Sequence, residues 1–426
     1  MPGAPGPIPT SGGRMYDVIV VGARCAGSPT AMLLARAGYR VLLLDRAGFP
    51  SDRISTHYVQ PAGLARLRRW GLLDDLIATG CPPISRARWW FGDVSVQGFT
   101  PPLDGIDVAY GPRRTVLDAL LVNAAREAGV EVWEKSTVHD LVMEDGRVIG
   151  VRCSRNGGPD QTLTAAVVVG ADGRNSLVAR RVGAAEYRRR PALTVVYYAY
   201  WRGLRRSHEI NEVYLHGEAQ IGMIPTHDDA ILIQAARPSS WYDTYRRDIR
   251  GHYHRAIEVA APDLARELAS DGEQVGRFAG TGALENFYRV PYGPGWALVG
   301  DAGFHKDPLT GQGITDAWRD AELLATALDS LFSGRQSWDS ALSEYQLARD
   351  AASELIYEFT YEAAGLQIGP LTDHLLRGLA ADRSQADRFF GVLAGAVDPM
   401  DFFSPGNIRR LLRGAIGETA LAGEPR

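Results

Sequence analysis

Lysine and cysteine are both scarce in this chain. Lysine occurs only at Lys135 and Lys306, so nearly all of the 46 basic residues are arginines. The three cysteines, Cys25, Cys81 and Cys153, lie far apart and show no C-x-x-C spacing. Such a sparse and odd set argues against a disulfide framework and against a zinc site. It fits a protein of the reducing cytoplasm.

The sequence also has no long apolar run and no strong excess of charge. No stretch approaches the roughly 20 apolar residues of a membrane span. Residues 1–13 are rich in proline and glycine and have no apolar core of a signal peptide, so we expect a disordered leader there. The formal net charge of -4 gives no reason to expect nucleic acid as a partner. With 426 residues, 45% of them hydrophobic, the chain predicts two or three globular domains.

The N-terminal part has the pattern strand, glycine-rich turn, helix, strand and acid. Gly22 and Gly27 follow the first apolar strand, and they predict a tight turn before a helix whose N-terminus can face a pyrophosphate. The second strand ends on Asp45, 18 residues after Gly27, where it can accept from ribose hydroxyls. Arg24 occupies the place of the usual middle glycine. Either the cofactor lies further out, or the guanidinium contacts a phosphate.

Two later segments also have an acid and a glycine directly after an apolar strand. One predicted strand leads into Asp172-Gly173, and a later one leads into Gly300-Asp301 before a glycine-rich helix start at 308–314. Open α/β sheets bind their ligands beyond the carboxyl ends of the strands. We therefore expect the turn at Gly22 and these two segments to share one groove.

These three segments resemble those of FAD-dependent monooxygenases of the aromatic-hydroxylase (p-hydroxybenzoate hydroxylase-like) superfamily. The broader group includes geranylgeranyl reductases and flavin halogenases. The resemblance implies an α/β fold with a Rossmann-like FAD-binding domain built on a mixed parallel sheet, a β-sheet substrate domain and C-terminal helices. The implied boundaries are 14–85, 106–186 and 293–345 for the FAD-binding domain, 86–105 and 187–292 for the substrate domain, and 346–426 for the helical region.

The resemblance also implies site residues. The cofactor-binding candidates are Gly22, Arg24, Ala26, Gly27, Asp45, Arg46, Arg53, Arg114, Val138, Asp172, Gly173, Gly300, Asp301, Pro308, Gly311, Gln312, Gly313 and Ile314. Pro308 is also expected to border the site at which oxygen reacts. Because a phenolic substrate needs a base, the catalytic candidates include His57 and His227, with His305 as a further choice by position. Lys306 could steer an anion, but we favour a structural ion pair with Asp307 or another acid.

The implied reaction is hydroxylation of an aromatic or lipophilic small molecule by molecular oxygen through a flavin C4a-hydroperoxide, as in secondary metabolism. Electrons would come from NADH or NADPH, or from an external flavin reductase. The family's closing arginine is displaced here from position 179 to Arg180 and Arg181, which bears on direct reduction by NAD(P)H. A double-bond reductase is the main alternative. A flavin halogenase would carry the motif W-x-W-x-I-P, which is missing from this sequence. The last alternative is a non-catalytic FAD-binding protein.

Overall fold

The computed structural model describes residues 15–53, 55–282 and 284–421, without the side chains of 414–421. The predicted leader, residues 1–13, lies outside the described residues. No described helix is both long enough and apolar enough to span a bilayer.

The elements are numbered in chain order. The strands are β1 (Tyr16–Val21), β2 (Val41–Leu44), β3 (Pro83–Ile84), β4 (Arg86–Phe91), β5 (Val94–Phe99), β6 (Ala109–Tyr110), β7 (Glu131–Trp133), β8 (Ser136–Glu144), β9 (Arg147–Arg155), β10 (Asp160–Gly170), β11 (Glu186–Arg190), β12 (Thr194–Arg202), β13 (Ile210–His216), β14 (Ala219–Pro225), β15 (Ile231–Pro238), β16 (Glu273–Thr281), β17 (Asn286–Arg289), β18 (Tyr292–Gly293), β19 (Trp296–Leu298) and β20 (Phe304–His305). The helices are α1 (Gly27–Arg36), α2 (Pro61–Trp70), α3 (Leu73–Ala78), α4 (Arg114–Glu127), α5 (Leu177–Val182), α6 (Tyr242–Arg247), α7 (Ile249–Ala260), α8 (Pro262–Ser270), α9 (Gly313–Phe332), α10 (Trp338–Ala363), α11 (Pro370–Ala381), α12 (Arg383–Ala394), α13 (Pro399–Phe402) and α14 (Pro405–Leu421).

The first sheet is mixed and confirms the predicted α/β fold. Its strand order is β18-β19-β10-β1-β2-β7, and the pairs from β19 to β7 are parallel. The hairpin β8–β9 extends β10 in antiparallel fashion, and its turn at Asp145 and Gly146 has positive φ at both residues, as predicted from Asp-Gly. Strands β1 and β2 are almost entirely apolar because both faces of the parallel sheet are covered. Helices α1, α4 and α9 pack on one face, whereas the hairpin β8–β9 and helix α5 pack on the other.

The second sheet has seven strands in the order β16-β12-β15-β14-β13-β4-β5. Successive side chains of β12 point to opposite faces of the sheet. Val195, Tyr197 and Ala199 pack with helices α7 and α8, whereas Tyr198 and Tyr200 pack with the loop that contains Tyr58. Two separate parts of the chain form this sheet: β4 and β5 come from the early part, and β12 to β16 come from the later part.

The C-terminal helices cover one end of the second sheet. Phe389 and Phe390 of α12 pack edge-to-face on Trp89 of β4, with ring centroids 5.9 and 5.4 Å apart. Helix α2 begins and ends as predicted, since Gly71 closes it with φ of +76°. The domain boundaries expected from the sequence stay predictions.

Candidate functional site

Three loops that are distant in sequence meet at the carboxyl edge of the first sheet. A Cβ built on Gly22 would lie 2.4 Å from the carbonyl oxygen of Ala171, and one on Gly300 would lie 2.7 Å from Cβ of Ala26. Both glycines also have positive φ, +105° and +60°. The turn after β1, the turn after β10 and the turn after β19 are therefore in direct contact, as predicted.

The turn after β1 is closed by Gly27, the first residue of α1. A Cβ there would lie 1.7 Å from the carbonyl oxygen of Gly22, so no larger residue fits. This packing brings the N-terminal amides of a ten-residue helix to the groove, where they can bind an anion.

Asp45 lies beside this turn at the end of β2. Its carboxylate accepts from the amides of Ala23 at 2.8 Å and Ala47 at 2.7 Å. Its carbonyl accepts from the amide of Ser136, two residues before Val138. The sequence candidates for the adenosine half of the cofactor, Asp45 and Val138, thus lie at one end of the groove.

Arg24 and Arg114 share a single buried carboxylate. Asp118, which is fully buried, accepts from Nη1 of Arg24 at 2.5 Å and from Nε and Nη2 of Arg114 at 2.9 and 3.0 Å. Arg24 also donates to Oγ of Ser51 at 2.8 Å. Asp118 is the one carboxylate bonded to both guanidinium groups, so their combined positive charge exceeds its negative charge.

Two further arginines raise that positive charge. Partial burial lowers the pKa of Arg53, and the neighbouring Arg24 and Arg46 lower it further. Guanidinium groups crowded in this way are stabilised by a dianionic partner. The crowded arginines and the helix N-terminus together fit the pyrophosphate of FAD.

Asp172 has one oxygen in use within the protein and one without a partner. Oδ2 accepts from the amides of Leu177 at 2.6 Å and Val178 at 3.3 Å, so it caps α5. Oδ1 is buried, and no described residue donates to it. Burial raises the pKa of Asp172. An orphaned oxygen beside Gly22 and Gly173 is free to accept from a ligand hydroxyl.

The segment from Gly300 to Ile314 forms the third wall. The carboxylate of Asp301 is exposed in the groove near Arg114. Pro308 begins a short 3₁₀ turn capped by Asp307, whose Oδ1 accepts from the amide of Leu309 at 3.1 Å. This turn leads directly into the N-terminus of the 20-residue helix α9.

Two contacts fix the end of that turn. Gly311 has φ of +65°, and a Cβ there would lie 3.3 Å from Cβ of Tyr58. The side-chain amide of Gln312 donates to the carbonyl of Leu393 in α12 at 2.6 Å. Gly313 and Ile314 then open α9, so their amides face the same groove.

Lys306 is paired inside the protein with an acid other than Asp307. Its ammonium donates to Oδ2 of Asp316, and Oδ1 of Asp316 accepts from Arg319 at 2.8 Å. Lys306 is only 8% exposed. The expected ion pair of this lysine is therefore confirmed, with Asp316 as the acid.

His57 lies in the loop between β2 and α2, and it is fully buried against Tyr198 and Tyr200 of the second sheet. Its Nε2 forms a hydrogen bond with the hydroxyl of Tyr200, and its ring lies edge-on to Tyr198 with centroids 6.0 Å apart. Nδ1 is buried without a partner in the described chain. Burial lowers the pKa of His57 well below its usual range, and Arg114 and Arg113 lower it further.

The other two histidine candidates use their ring nitrogens in structural contacts. Nδ1 of His227 accepts from the amide of Arg113 at 3.3 Å, and Nε2 contacts Oγ1 of Thr79 at 2.9 Å. Nδ1 of His305 contacts the carbonyl of Glu285 at 2.6 Å. Burial lowers the pKa of both rings.

Sequence reasoning missed Asp118, Tyr200 and Arg113 as members of the site. Asp118 follows Arg114 by four residues on one helix, a spacing that predicts an ion pair. The guanidinium of Arg113 lies 4.5 Å from the ring centre of Tyr200, and only the fold brings these two together.

A family model described as an FAD binding domain matches residues 15–360. The chain is 24% identical over 343 residues to the 1H-pyrrole-2-carbonyl-(peptidyl-carrier protein) brominase of Pseudoalteromonas luteoviolacea, covering 78% of this chain and 82% of that protein. It is 26% identical over 347 residues to the digeranylgeranylglycerophospholipid reductase of Methanocella arvoryzae, covering 78% and 81%.

The fold is similar to that of solved flavoproteins. PqsL of Pseudomonas aeruginosa, a probable FAD-dependent monooxygenase, superposes with a TM-score of 0.68 at 24% identity, covering 82% of this chain and 95% of that one. Flavin-dependent halogenases also have this fold.

Proposed function

This chain belongs to the FAD binding domain family of FAD-dependent oxidoreductases, and from that premise we propose that it is a monooxygenase. Its substrate is an aromatic or lipophilic small molecule that lies between the flavin groove and the second sheet. The observation that carries the proposal is His57, a buried imidazole with one unpartnered nitrogen and a tyrosine hydroxyl on the other.

The residues of the groove fit FAD. Asp45 and Val138 would hold the adenosine, the arginines around Asp118 would hold the pyrophosphate, and Asp301 would hold the ribityl chain. The amides of Gly313 and Ile314 would stabilise negative charge on the ring. When bound, FAD supplies the redox chemistry that activates oxygen.

His57 and the tyrosines would move a proton away from a phenolic substrate. Nδ1 of His57 can accept the substrate proton while Nε2 passes its own to the hydroxyl of Tyr200, because either nitrogen can carry the hydrogen. Such a relay keeps the imidazole neutral, which suits a buried ring whose pKa is lowered. Tyr200 contacts Tyr198, whose hydroxyl donates to the carbonyl of Arg53 at 3.4 Å. Because a carbonyl does not carry a proton onward, Tyr198 would release the last proton of the relay to water.

The conformation of His57 supports a functional role. Its φ of +62° lies in the left-handed region, which is rare for a residue with a side chain. Strain of this kind is found at active sites, where the surrounding structure maintains it. His227, by contrast, is better suited to position Arg113, since both of its ring nitrogens are used.

Halogenation is the competing reaction because a brominase is among the relatives. Flavin halogenases of the superfamily that this chain resembles use an active-site lysine. In this chain Lys306 is paired with Asp316, and Lys135 is exposed at the adenosine end of the groove, beside Gly48. Neither contacts His57 or Tyr200, so hydroxylation is favoured.

Electrons could come from NAD(P)H bound by this chain or from a separate flavin reductase. Of the displaced arginines, Arg181 pairs with Asp140 at 3.0 Å, and Arg180 donates to the carbonyl of Asn175. We propose that reduction by a separate flavin reductase is the main route, since both arginines are already used within the protein.

The test measures oxygen consumption and product mass with a panel of phenols and ring N–H heteroaromatics, in the presence of bromide and chloride. Reducing equivalents come from NADH, NADPH or supplied reduced FAD in parallel. We expect products that gain one oxygen atom, and a loss of turnover in His57→Asn but not in the exposed control His374→Asn. Halogenated products, or reduction without oxygen use, would sink the proposal.

A further inference from the structure

On the face of the second sheet that contains Tyr198 and Tyr200, one row of residues runs across four strands. Tyr198 pairs with Gln234, Gln234 pairs with Gly222, and Gly222 pairs with Val213. Residues that pair directly across strands lie on the same face. These four residues therefore form a continuous row on the face that also contains Tyr200.

Apolar packing covers the rows on either side of it. On one side Tyr200, Leu232 and Ile224 pack with Tyr58. On the other side Val196 and Ala236 pack with Leu309 of the Pro308 turn. The row from Tyr198 to Val213 lies between these two covered rows.

This row and the residue diagonal to it contain unsatisfied polar groups. Gly222 has no side chain, and a Cβ there would lie 2.8 Å from Nε2 of Gln234. Gln234 and its diagonal neighbour Gln220 are only 4% and 7% exposed. In both, the side-chain oxygen is buried without a hydrogen-bond partner among the described residues.

A buried amide oxygen without a partner destabilises a fold unless a ligand satisfies it. Gln234 pairs directly with Tyr198, whose neighbour Tyr200 contacts His57, and Gln220 lies on the same face in the neighbouring row, where it pairs with Ala236. No charged group faces them from the row itself, so the partner that completes their hydrogen bonds is a neutral donor.

We infer that Gln234 and Gln220 are specificity-determining residues that select a planar substrate bearing a neutral hydrogen-bond donor, such as a phenolic O–H or a ring N–H. The inference rests on the proposed function for the location of the substrate. Because Gly222 has no side chain, the side chain of Gln234 lies across it, and the two amide oxygens accept from the donor of the substrate.

The first experiment measures the melting temperature of the substrate-free FAD-loaded protein. Gln234→Met and Gln220→Met remove the unsatisfied oxygen at nearly constant volume, so we expect each to raise the melting temperature by about 1–3 °C. The matched control is Asn286→Leu, since Asn286 is a buried amide that accepts from the amide of Asp307 at 2.7 Å. The control must lower the melting temperature. An unchanged or lower value for both glutamine variants overturns the inference.

The second experiment measures binding of two planar probes, 2-naphthol and 2-methoxynaphthalene, by their perturbation of the flavin spectrum. We expect the wild-type protein to bind the naphthol about 3- to 10-fold more tightly, the effect of one neutral hydrogen bond. Gln234→Met should lose this preference and bind the ether as before. Failure of the wild-type protein to distinguish the probes, or a preference that survives in both variants, overturns the inference.

These readouts need no turnover. If the melting and binding results hold while no hydroxylation is seen, the inference stands and the proposed reaction fails. If hydroxylation is seen but the glutamine variants keep their donor preference, the reaction stands and the inference fails.

Discussion

Asp118→Asn tests whether one buried acid holds the phosphate-binding arginines in place. Asp118 is fully buried and accepts three hydrogen bonds from Arg24 and Arg114. Asparagine keeps the shape but removes the charge, so the buried Arg114 and the partly buried Arg24 lose their shared counter-charge. Removing one partner of a buried ion pair destabilises a protein by about 3–5 kcal/mol. Because the asparagine oxygen still accepts one hydrogen bond, we expect the lower end of that range.

The assay is thermal unfolding of the FAD-free protein, followed by circular dichroism. For a large domain, about 3 kcal/mol corresponds to a fall of roughly 6–12 °C in melting temperature. The matched control is Asp140→Asn, since Asp140 is partly exposed and its pairs with Arg181 and Arg152 lie on the surface. Surface pairs contribute about 0–1 kcal/mol, so the control should melt no more than about 4 °C below the wild type.

The pyrophosphate of FAD can replace the charge that Asp118 supplies. Saturating FAD at about 100 times its dissociation constant stabilises the wild-type protein by about 2.7 kcal/mol. We expect at least the same protection in Asp118→Asn. The reasoning is refuted if the FAD-free variant melts no lower than the Asp140→Asn control.

Three further predictions concern His57 and Asp307. His57→Asn should lower the turnover of a phenolic substrate by about 10²- to 10⁴-fold, as measured by stopped-flow absorbance, while FAD binding is kept. Asparagine is chosen because it tolerates the left-handed backbone conformation. The turnover of Tyr200→Phe should lie between that of His57→Asn and that of the wild type. Burial raises the pKa of Asp307 to about 6, so the fold loses stability as the pH rises from about 4 to about 6. Asp307→Asn should therefore gain up to roughly 3 kcal/mol at pH 8 and about half as much at pH 5, and equal gains at the two pH values would contradict this. Because the pKa of His57 is lowered in the folded state, its contribution to stability is present above about pH 6.5 and is lost as the pH falls below it, so the melting temperature of His57→Asn should depend less on pH between 7.5 and 5.5.

The groove was predictable from the sequence because its parts are local. Each of the three turns follows an apolar strand, and the carboxyl ends of parallel strands meet at one edge of the sheet. Gly22, Asp172 and Gly300 could therefore be assigned to one groove without any knowledge of tertiary contacts. The hairpin at Asp145 and Gly146 was predictable for the same reason, since its turn chemistry lies within two residues.

The rest of the site depends on pairings between distant segments. Tyr200 contacts His57 across 143 positions of the chain. Gln234 lies next to Tyr198 only because β12 and β15 pair in one register. A shift of β15 by one residue would place Gln234 on the face opposite to Tyr198, and no local pattern fixes that register. Arg24 was left open between two roles because its partner Asp118 lies 94 positions away.

The central claim is that one FAD extends along the groove and contacts all three turns. Titration of FAD-free protein with FAD, followed by flavin fluorescence, tests it most directly in Asp301→Ala, with the exposed Asp243→Ala as control. Loss of one charge-assisted hydrogen bond to the ribityl chain predicts a dissociation constant about 10- to 100-fold higher than that of the wild type and an unchanged one for the control. Equal FAD affinity in Asp301→Ala and the wild type would contradict the claim.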